Sequence, residues 1–330
     1  MGFPFHPRLR PLTILTVIGL VVVLLSSCSR PSPPLIKLGI TRWPGGAFLF
    51  LAQEKKYFEE EGVRVQLVEF VSTPDAIDAY KAGEIDGMTC STLDMVKAAE
   101  ESRRIPQAFI VSDSSNGGDV IMARDDIHRP EELSGARIGC ENSHLCKYLL
   151  QSALDDAKLS EEQIDIHHIT QLAMEDAFRQ GEVDALVTRP PVSIRLEREP
   201  GVHAIYSSSE LPTDILNVIV ADKTLIDQQP EAIRSVIRAW ERAYKFYTKN
   251  PDLAQRMMGQ RIGLRPDEFA RSLEKIRLVS PEEKEHYFGE DQGLLVSTED
   301  THRKLCDMGI SDRESAVEKL IAPAALTTQP

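Results

Sequence analysis

The chain has 330 residues, with 38 Lys and Arg against 51 Asp and Glu, for a formal net charge of −13. Hydrophobic residues at 42% and charged residues at 27% fit a folded globular protein and exclude a disordered chain. The acidic balance, without a basic stripe, excludes a nucleic-acid surface and a face pressed onto anionic lipid.

The length predicts two domains after a short leader. An apolar run over residues 11–25 is shorter than the ~20 residues a spanning helix needs. Arg8 and Arg10 precede it with no acid, and Ser26, Ser27 and Cys28 follow. This layout predicts a secretory signal peptide over residues 1–27, outside the fold. Leu25-Ser26-Ser27-Cys28 resembles the lipobox of bacterial lipoproteins. That resemblance implies cleavage before Cys28, acylation of its thiol, and a lipoprotein signal peptide. Residues 28–34 contain three prolines and read as a stiff tether. Losing residues 1–27 removes two Arg and no acid, leaving 36 bases against 51 acids, or −15.

Residues 35–40 alternate and predict a strand. The loop of residues 41–46 follows, then a helical pattern over residues 47–58 closed by Gly62. Residues 63–70 alternate again. Thr73-Pro74-Asp75 predicts a helix start with Thr73 as cap, running to Lys81 and stopping at Gly83. A strand over 85–89, a helix from Ser91-Thr92 and a strand over 105–111 complete an alternation that predicts a parallel sheet. The pattern restarts with strands over 120–124 and 137–140, a helix over 143–157, a strand over 164–169, a helix over 174–180 and a strand over 183–188.

The restart is also legible in letters. Residues 78–88, with Gly83-Glu84-Ile85-Asp86, align with residues 176–186, with Gly181-Glu182-Val183-Asp184, at an offset of 98. A Gly closing a helix, then an acid before the next strand, predicts two related α/β lobes. Beyond a strand over 215–221 the chain reads as helical: residues 230–249, 251–258, 266–276 and 298–308, with Ser297 as the last helix's cap. This tail is expected to contribute no sheet, and residues 322–330 to fray.

Trp43-Pro44-Gly45-Gly46, the stretch Glu54 to Gly62, both Gly-Glu-x-Asp junctions and Asp113-Ser114-Ser115-Asn116-Gly117-Gly118-Asp119 together resemble substrate-binding proteins of bacterial ABC importers, of the nitrate/sulfonate/taurine and thiamine-pyrimidine-precursor type. The resemblance covers roughly residues 35–220. It implies a two-lobe periplasmic binding protein fold (type II) with the ligand cleft between lobes and the helical tail on lobe 1. Lobe 1 is expected over residues 35–117 and 213–330 and lobe 2 over residues 118–212, with hinge closure on binding. It further implies a small polar nitrogen- or sulfur-containing ligand, permease and ATPase partners, a monomer, no cofactor and no catalysis. The chain would be exported and held by acylated Cys28 at a membrane, facing the periplasm or the cell exterior. The alternatives are a ligand-sensing lipoprotein docking on a receptor, or a periplasmic enzyme on the same fold.

Ligands in open α/β sheets lie beyond the carboxyl ends of the strands, which selects the loops without family knowledge. Helix N-termini there offer free backbone N–H groups. Candidate ligand-binding residues are Trp43, Gly45, Gly46, Thr73, Ser91, Thr92, Asp113, Asn116, Asp119, Glu141, Asn142, Ser143 and Arg189. Trp43 either stacks on a flat or cationic ligand or packs on its own lobe. Arg189 either pairs with an anionic ligand or makes an ion pair. Asn116 either bonds ligand or shapes the turn before Gly117-Gly118. Ser91, Thr92 and Ser143 read first as helix caps. Asp113, Asp119 and Glu141 favour an amine or zwitterion, or else pair with Arg124 or Arg137, so the ligand's sign stays open. No nucleophile elbow, phosphate loop, dinucleotide fingerprint or His-Glu-x-x-His occurs. His167-His168 are adjacent in a strand and face opposite ways, which makes a poor metal pair. Cys140 and Cys146 would pair only if a turn brings them together, and the reading favours free, partly buried thiols.

Overall fold

The computed structural model describes residues 35–211, 215–311 and 315–327, with Met1 and Gly2. The tether, Cys28, residues 3–27 of the expected signal peptide and part of the second expected crossover, the return from lobe 2 to lobe 1 at residue 213, lie outside the described residues. The folded unit begins at Leu35. In chain order it runs β1 (Leu35–Ile40), α1 (Ala47–Glu54), α2 (Tyr57–Glu60), β2 (Arg64–Glu69), α3 (Thr73–Ala82), β3 (Gly87–Ser91), α4 (Thr92–Glu100) and β4 (Pro106–Ser115). A second series follows: β5 (Val120–Arg124), β6 (Arg137–Cys140), α5 (His144–Ala157), β7 (Asp165–His168), α6 (Gln171–Arg179), β8 (Ala185–Thr188), α7 (Val192–Leu196) and β9 (Val202–Ser207). The chain then returns through β10 (Ile215–Asp222), α8 (Lys223–Gln228), α9 (Pro230–Lys249), α10 (Pro251–Ile262), α11 (Pro266–Glu274), β11 (Ile276–Leu278), α12 (Lys284–Phe288), α13 (Gly293–Asp307) and α14 (Ala324–Thr327).

The strands form two sheets, β11-β4-β10-β3-β1-β2 and β7-β6-β8-β5-β9, one in each of two α/β lobes. The expectation of purely parallel sheets is corrected. β1 is parallel to β2 and β3, and β6 to β7 and β8. β10 is antiparallel to β3 and β4, as β5 is to β8 and β9. Each odd strand, β5 or β10, directly follows a passage of the chain from one sheet to the other, and so enters against the local direction.

The internal repeat has a shared physical basis. Gly83 and Gly181 end their helices at φ 77° and 74°, the left-handed region glycine tolerates. Asp86 accepts from the Lys37 backbone N–H at 2.8 Å, and Asp184 from that of Arg137 at 2.9 Å. Each acid thus fastens its loop to an interior strand of its own sheet. Arg104 lies over the Tyr80 ring at 4.3 Å and Arg124 over Phe178 at 4.4 Å, a second matched pair.

Several local readings change. Ser72, not Thr73, caps α3, accepting from Asp75 N–H at 3.1 Å, and Thr73 enters the first turn with Pro74. The helix over 47–58 breaks into two because Lys56 takes a left-handed φ of 58°. β4 continues past Val111 through Ser115, as its polar side chains find partners in β10 and beyond. The tail does contribute a strand: β11 adds to β4, so Ile276 is strand rather than helix. Ser297 lies inside α13, which starts five residues earlier than expected. Ala322 and Leu326 are buried in the core, so the tail stays packed at least to Thr327. Strand β9 and helix α7 carried no signal that the sequence reading used. Cys140 and Cys146 are disulfide-bonded, correcting the expectation of free thiols. The Ser143-capped turn sets their Cα atoms 6.2 Å apart, within disulfide range.

The main core places α1, buried over most of its surface, between the first sheet and α9 and α10. Phe48 is fully buried, with ring contacts to Trp240, Tyr244 and Tyr247. Phe48→Ala is expected to cost about 3–5 kcal/mol, read as a lower urea midpoint at unchanged slope. A loss below about 1 kcal/mol would contradict this packing.

Candidate functional site

The carboxyl ends of β1, β3, β4 and β8 converge on a chamber of about 30 Å³ between the lobes. Thr41, Trp43, Gly46, Thr73, Thr89, Cys90, Ser91, Asp94 and Ser112 wall it on one side. Asp119, Leu145 and Arg189 close it from the crossover and the second sheet's loops, and Asn217 and Val218 of β10 complete it. A larger outer cavity of about 270 Å³ shares Arg189 as a wall and includes Arg42, Phe70, Val71, Leu172, Pro190 and Pro191.

Arg189 follows β8 and is largely buried. Its two terminal nitrogens donate to one Glu141 oxygen, each at 3.2 Å, and one donates to the Thr73 hydroxyl at 3.4 Å. That last contact joins the lobes. Burial works against its charge, but Glu141, Asp119 and Asp94 together outweigh it and hold the guanidinium protonated. His144 meets Glu101 across the cleft at 3.4 Å, and Arg195 donates to the Gly263 carbonyl at 2.6 Å. The lobes therefore stand closed on each other.

Trp43 packs within its own lobe and still walls the chamber. It is 7% exposed, and its indole N–H donates to Asp113 at 2.9 Å. Asp113 also accepts from Ser112 at 2.7 Å and Asn217 at 2.9 Å, lying behind the chamber wall. Gly45 is required there, since a Cβ would stand 1.7 Å from Asp113 Oδ2. Asp119 accepts from the Ser115 hydroxyl at 2.7 Å. The proposed pairing of these acids with Arg124 or Arg137 is corrected: Arg137 pairs with Asp184, and Arg124 lies on Phe178. Burial pushes the Asp94 and Asp113 carboxyls up, and raises Asp119 to about 6.

Of the thirteen candidates, Trp43, Gly46, Thr73, Ser91, Asp119 and Arg189 line the chamber. Glu141 holds Arg189 and Ser143 caps α5. Thr92 is fully buried in α4. Asn116 and Asn142 are exposed, and the Asn116 backbone N–H donates to the Lys275 carbonyl at 3.0 Å. Asp94 was missed. Its sequence signal, an acid three residues after Ser91, looks like an ordinary first-turn acid. Here Ser91 accepts from Asp94 N–H at 3.1 Å and donates back to Oδ2 at 2.8 Å, leaving Oδ1 without a protein partner. Among the described residues, no group of three or more His, Cys, Asp or Glu is placed to hold a metal ion, and no helix is long and apolar enough to cross a membrane.

Residues 43–254 match the family described as NMT1/THI5 like. The taurine-binding periplasmic protein of Escherichia coli K12 is 23% identical over 206 residues, 61% of this chain and 62% of that one. The formylaminopyrimidine-binding protein of Halalkalibacterium halodurans is 22% identical over 213 residues, 63% and 64% of the two chains. These matches span less than two thirds of the relatives' length. The alkanesulfonate-binding protein SsuA from Xanthomonas axonopodis pv. citri, solved with MOPS bound, superposes with a TM-score of 0.73 at 16% identity, covering 90% of this chain and all of that one.

An acid whose folded pKa is raised binds its proton more tightly when folded than when unfolded. Its contribution is therefore greatest below about pH 4 and is lost as pH rises to about 6. For Asp119 the loss is expected to be about 2–3 kcal/mol. Urea unfolding from pH 4 to 7 should show this fall in the ligand-free protein and a shallower one in Asp119→Asn. Equal slopes would contradict the burial argument.

Proposed function

The chain belongs to the NMT1/THI5-like family, and from that premise we propose that it is the extracytoplasmic solute-binding component of an ABC importer. It captures one small polar nitrogen- or sulfur-containing compound between its lobes. The observation that carries this reading is the chamber itself, lined by hydroxyl, carboxylate and guanidinium groups beside apolar ones and walled from both lobes. Arg189 reaches from one lobe to Thr73 of the other, so a solute lodged there touches both lobes and stabilises their closure. The names of the taurine-, formylaminopyrimidine- and alkanesulfonate-binding relatives support the class.

The hinge lies at the two crossovers. Ser208 accepts from Gly117 N–H at 2.8 Å and meets the Ser115 hydroxyl at 2.9 Å, while its N–H donates to the Asp119 carbonyl at 2.8 Å. These contacts tie the two passages of chain side by side and suit rotation about a common axis. On this reading residues 35–117 and 213–330 form one rigid body and residues 118–212 the other. The chain is anchored through acylated Cys28, which the Leu25-Ser26-Ser27-Cys28 sequence supports, and the permease reads the closed form.

A thermal-shift panel of nitrate, taurine, alkanesulfonates, aminopyrimidines and alkylamines tests capture. A solute at 100 times its Kd should add about 2.7 kcal/mol of stability, bind one to one, be recovered chemically unchanged, and lose its effect in Arg189→Ala. A solute converted to product would contradict the binding role, and so would absence of any stabilising solute. Mass spectrometry of the mature chain should find Cys28 first and carrying acyl chains; an unmodified Cys28 would contradict the anchor.

A further inference from the structure

Asp94 is 2% exposed, lines the chamber and presents a carboxylate oxygen, Oδ1, that no protein group satisfies. An unpaired buried acceptor is costly, and such groups in native proteins call for an explanation. Its other oxygen is engaged by Ser91. The Thr89 hydroxyl, also on the chamber wall, is likewise buried without a partner. From the crossover, Asp119 adds a second carboxylate, 4% exposed, with one oxygen held by Ser115.

Arg189 is the one cation lining the chamber among the described residues. It is already committed to Glu141. Asp94, Asp119 and Glu141 against Arg189 leave a formal charge of −2 around the chamber. Asp113 lies behind the wall, within the influence of Arg277, whose own guanidinium pairs with Glu283. His144 faces Asp94 from the second lobe, but burial favours its neutral form.

An anion entering this chamber would meet that surplus negative charge. To reach Arg189 it would have to displace Glu141 and strand a second buried carboxylate, an expensive exchange. A protonated nitrogen does the opposite: it supplies the donor Asp94 lacks and offsets the surplus. Charge-assisted bonds of this kind form at about 2.7–2.9 Å. The chamber's 30 Å³ has room for one or two water-sized groups, which matches an ammonium or amidinium head.

We propose that the solute is an organic cation, presenting an alkylammonium, arylammonium or amidinium group to Asp94 Oδ1 and Asp119 rather than a sulfonate or nitrate to Arg189. This assignment rests on the solute-binding reading and specifies its ligand. Taurine, with both groups, would enter amine first.

Isothermal titration of the purified protein at pH 7 tests it, with ethylammonium, benzylammonium, acetamidinium, taurine, ethanesulfonate and nitrate as probes. At least one cation is expected to bind one to one, at least 100-fold more tightly than ethanesulfonate and nitrate. Asp94→Asn should weaken that cation at least 100-fold while keeping a melting temperature at or above the parent's, since it removes a buried charge. Asp78→Asn, at an exposed ion pair with Lys81, should leave affinity unchanged. Tighter binding of ethanesulfonate or nitrate would overturn the cation assignment and leave solute capture standing. So would taurine binding unaffected by Asp94→Asn. Binding by none of the six overturns the assignment, and solute capture falls with it only if the broader thermal-shift panel is also silent.

Discussion

A guanidinium buried between two lobes cannot remain there without a carboxylate, and the Arg189–Glu141 pair meets that demand. The pair fixes much else. Glu141 directly follows β6, in the turn closed by the Cys140–Cys146 disulfide and capped by Ser143. Arg189 directly follows β8, the strand beside β6. Two adjacent strand ends thus supply a preassembled acid–base couple, and the guanidinium extends from it to Thr73 on the opposite lobe. With Arg189, the one lining cation among the described residues, occupied, the chamber's character is set by the acids that remain.

The acids are affordable because the fold surrounds them with donors. Asp113 receives Trp43, Ser112 and Asn217, and Asp119 receives Ser115. Gly45 makes the first of these possible by leaving room for the Asp113 carboxylate beside the Trp43 loop. Of the two acids that line the chamber among the described residues, Asp94 combines a serine partner with a buried oxygen that has no partner. The site is thus rigid where its polar groups are satisfied and receptive where they are not, at Asp94 Oδ1 and the Thr89 hydroxyl.

Much of this was legible in the sequence. The limits of β1 and of α9 follow from alternation and from helical spacing behind Pro230. The duplicated Gly-Glu-x-Asp junction announced two related lobes because its glycine and acid each have a fixed local job. The strand-end rule found the loops around Trp43, Thr73, Ser91 and Arg189. Less legible was the direction in which loop side chains point. Asn116 and Asn142 belong to the right loops and face out. Asp94 carries the pattern of a helix-start acid, and only the packing of the second lobe makes it part of a chamber wall. The antiparallel entry of β5 and β10, and the strand β11 within the tail, depend on long-range pairing that no local period encodes.

The most direct examination of the central claim is a crystal structure of the protein purified, without dialysis, from cells that make it. A solute is expected in the chamber between the lobes, with a nitrogen within hydrogen-bond distance of Asp94 Oδ1 and the Arg189–Glu141 pair intact. A solute bound elsewhere, or an anionic group on Arg189 with Glu141 displaced, would contradict it.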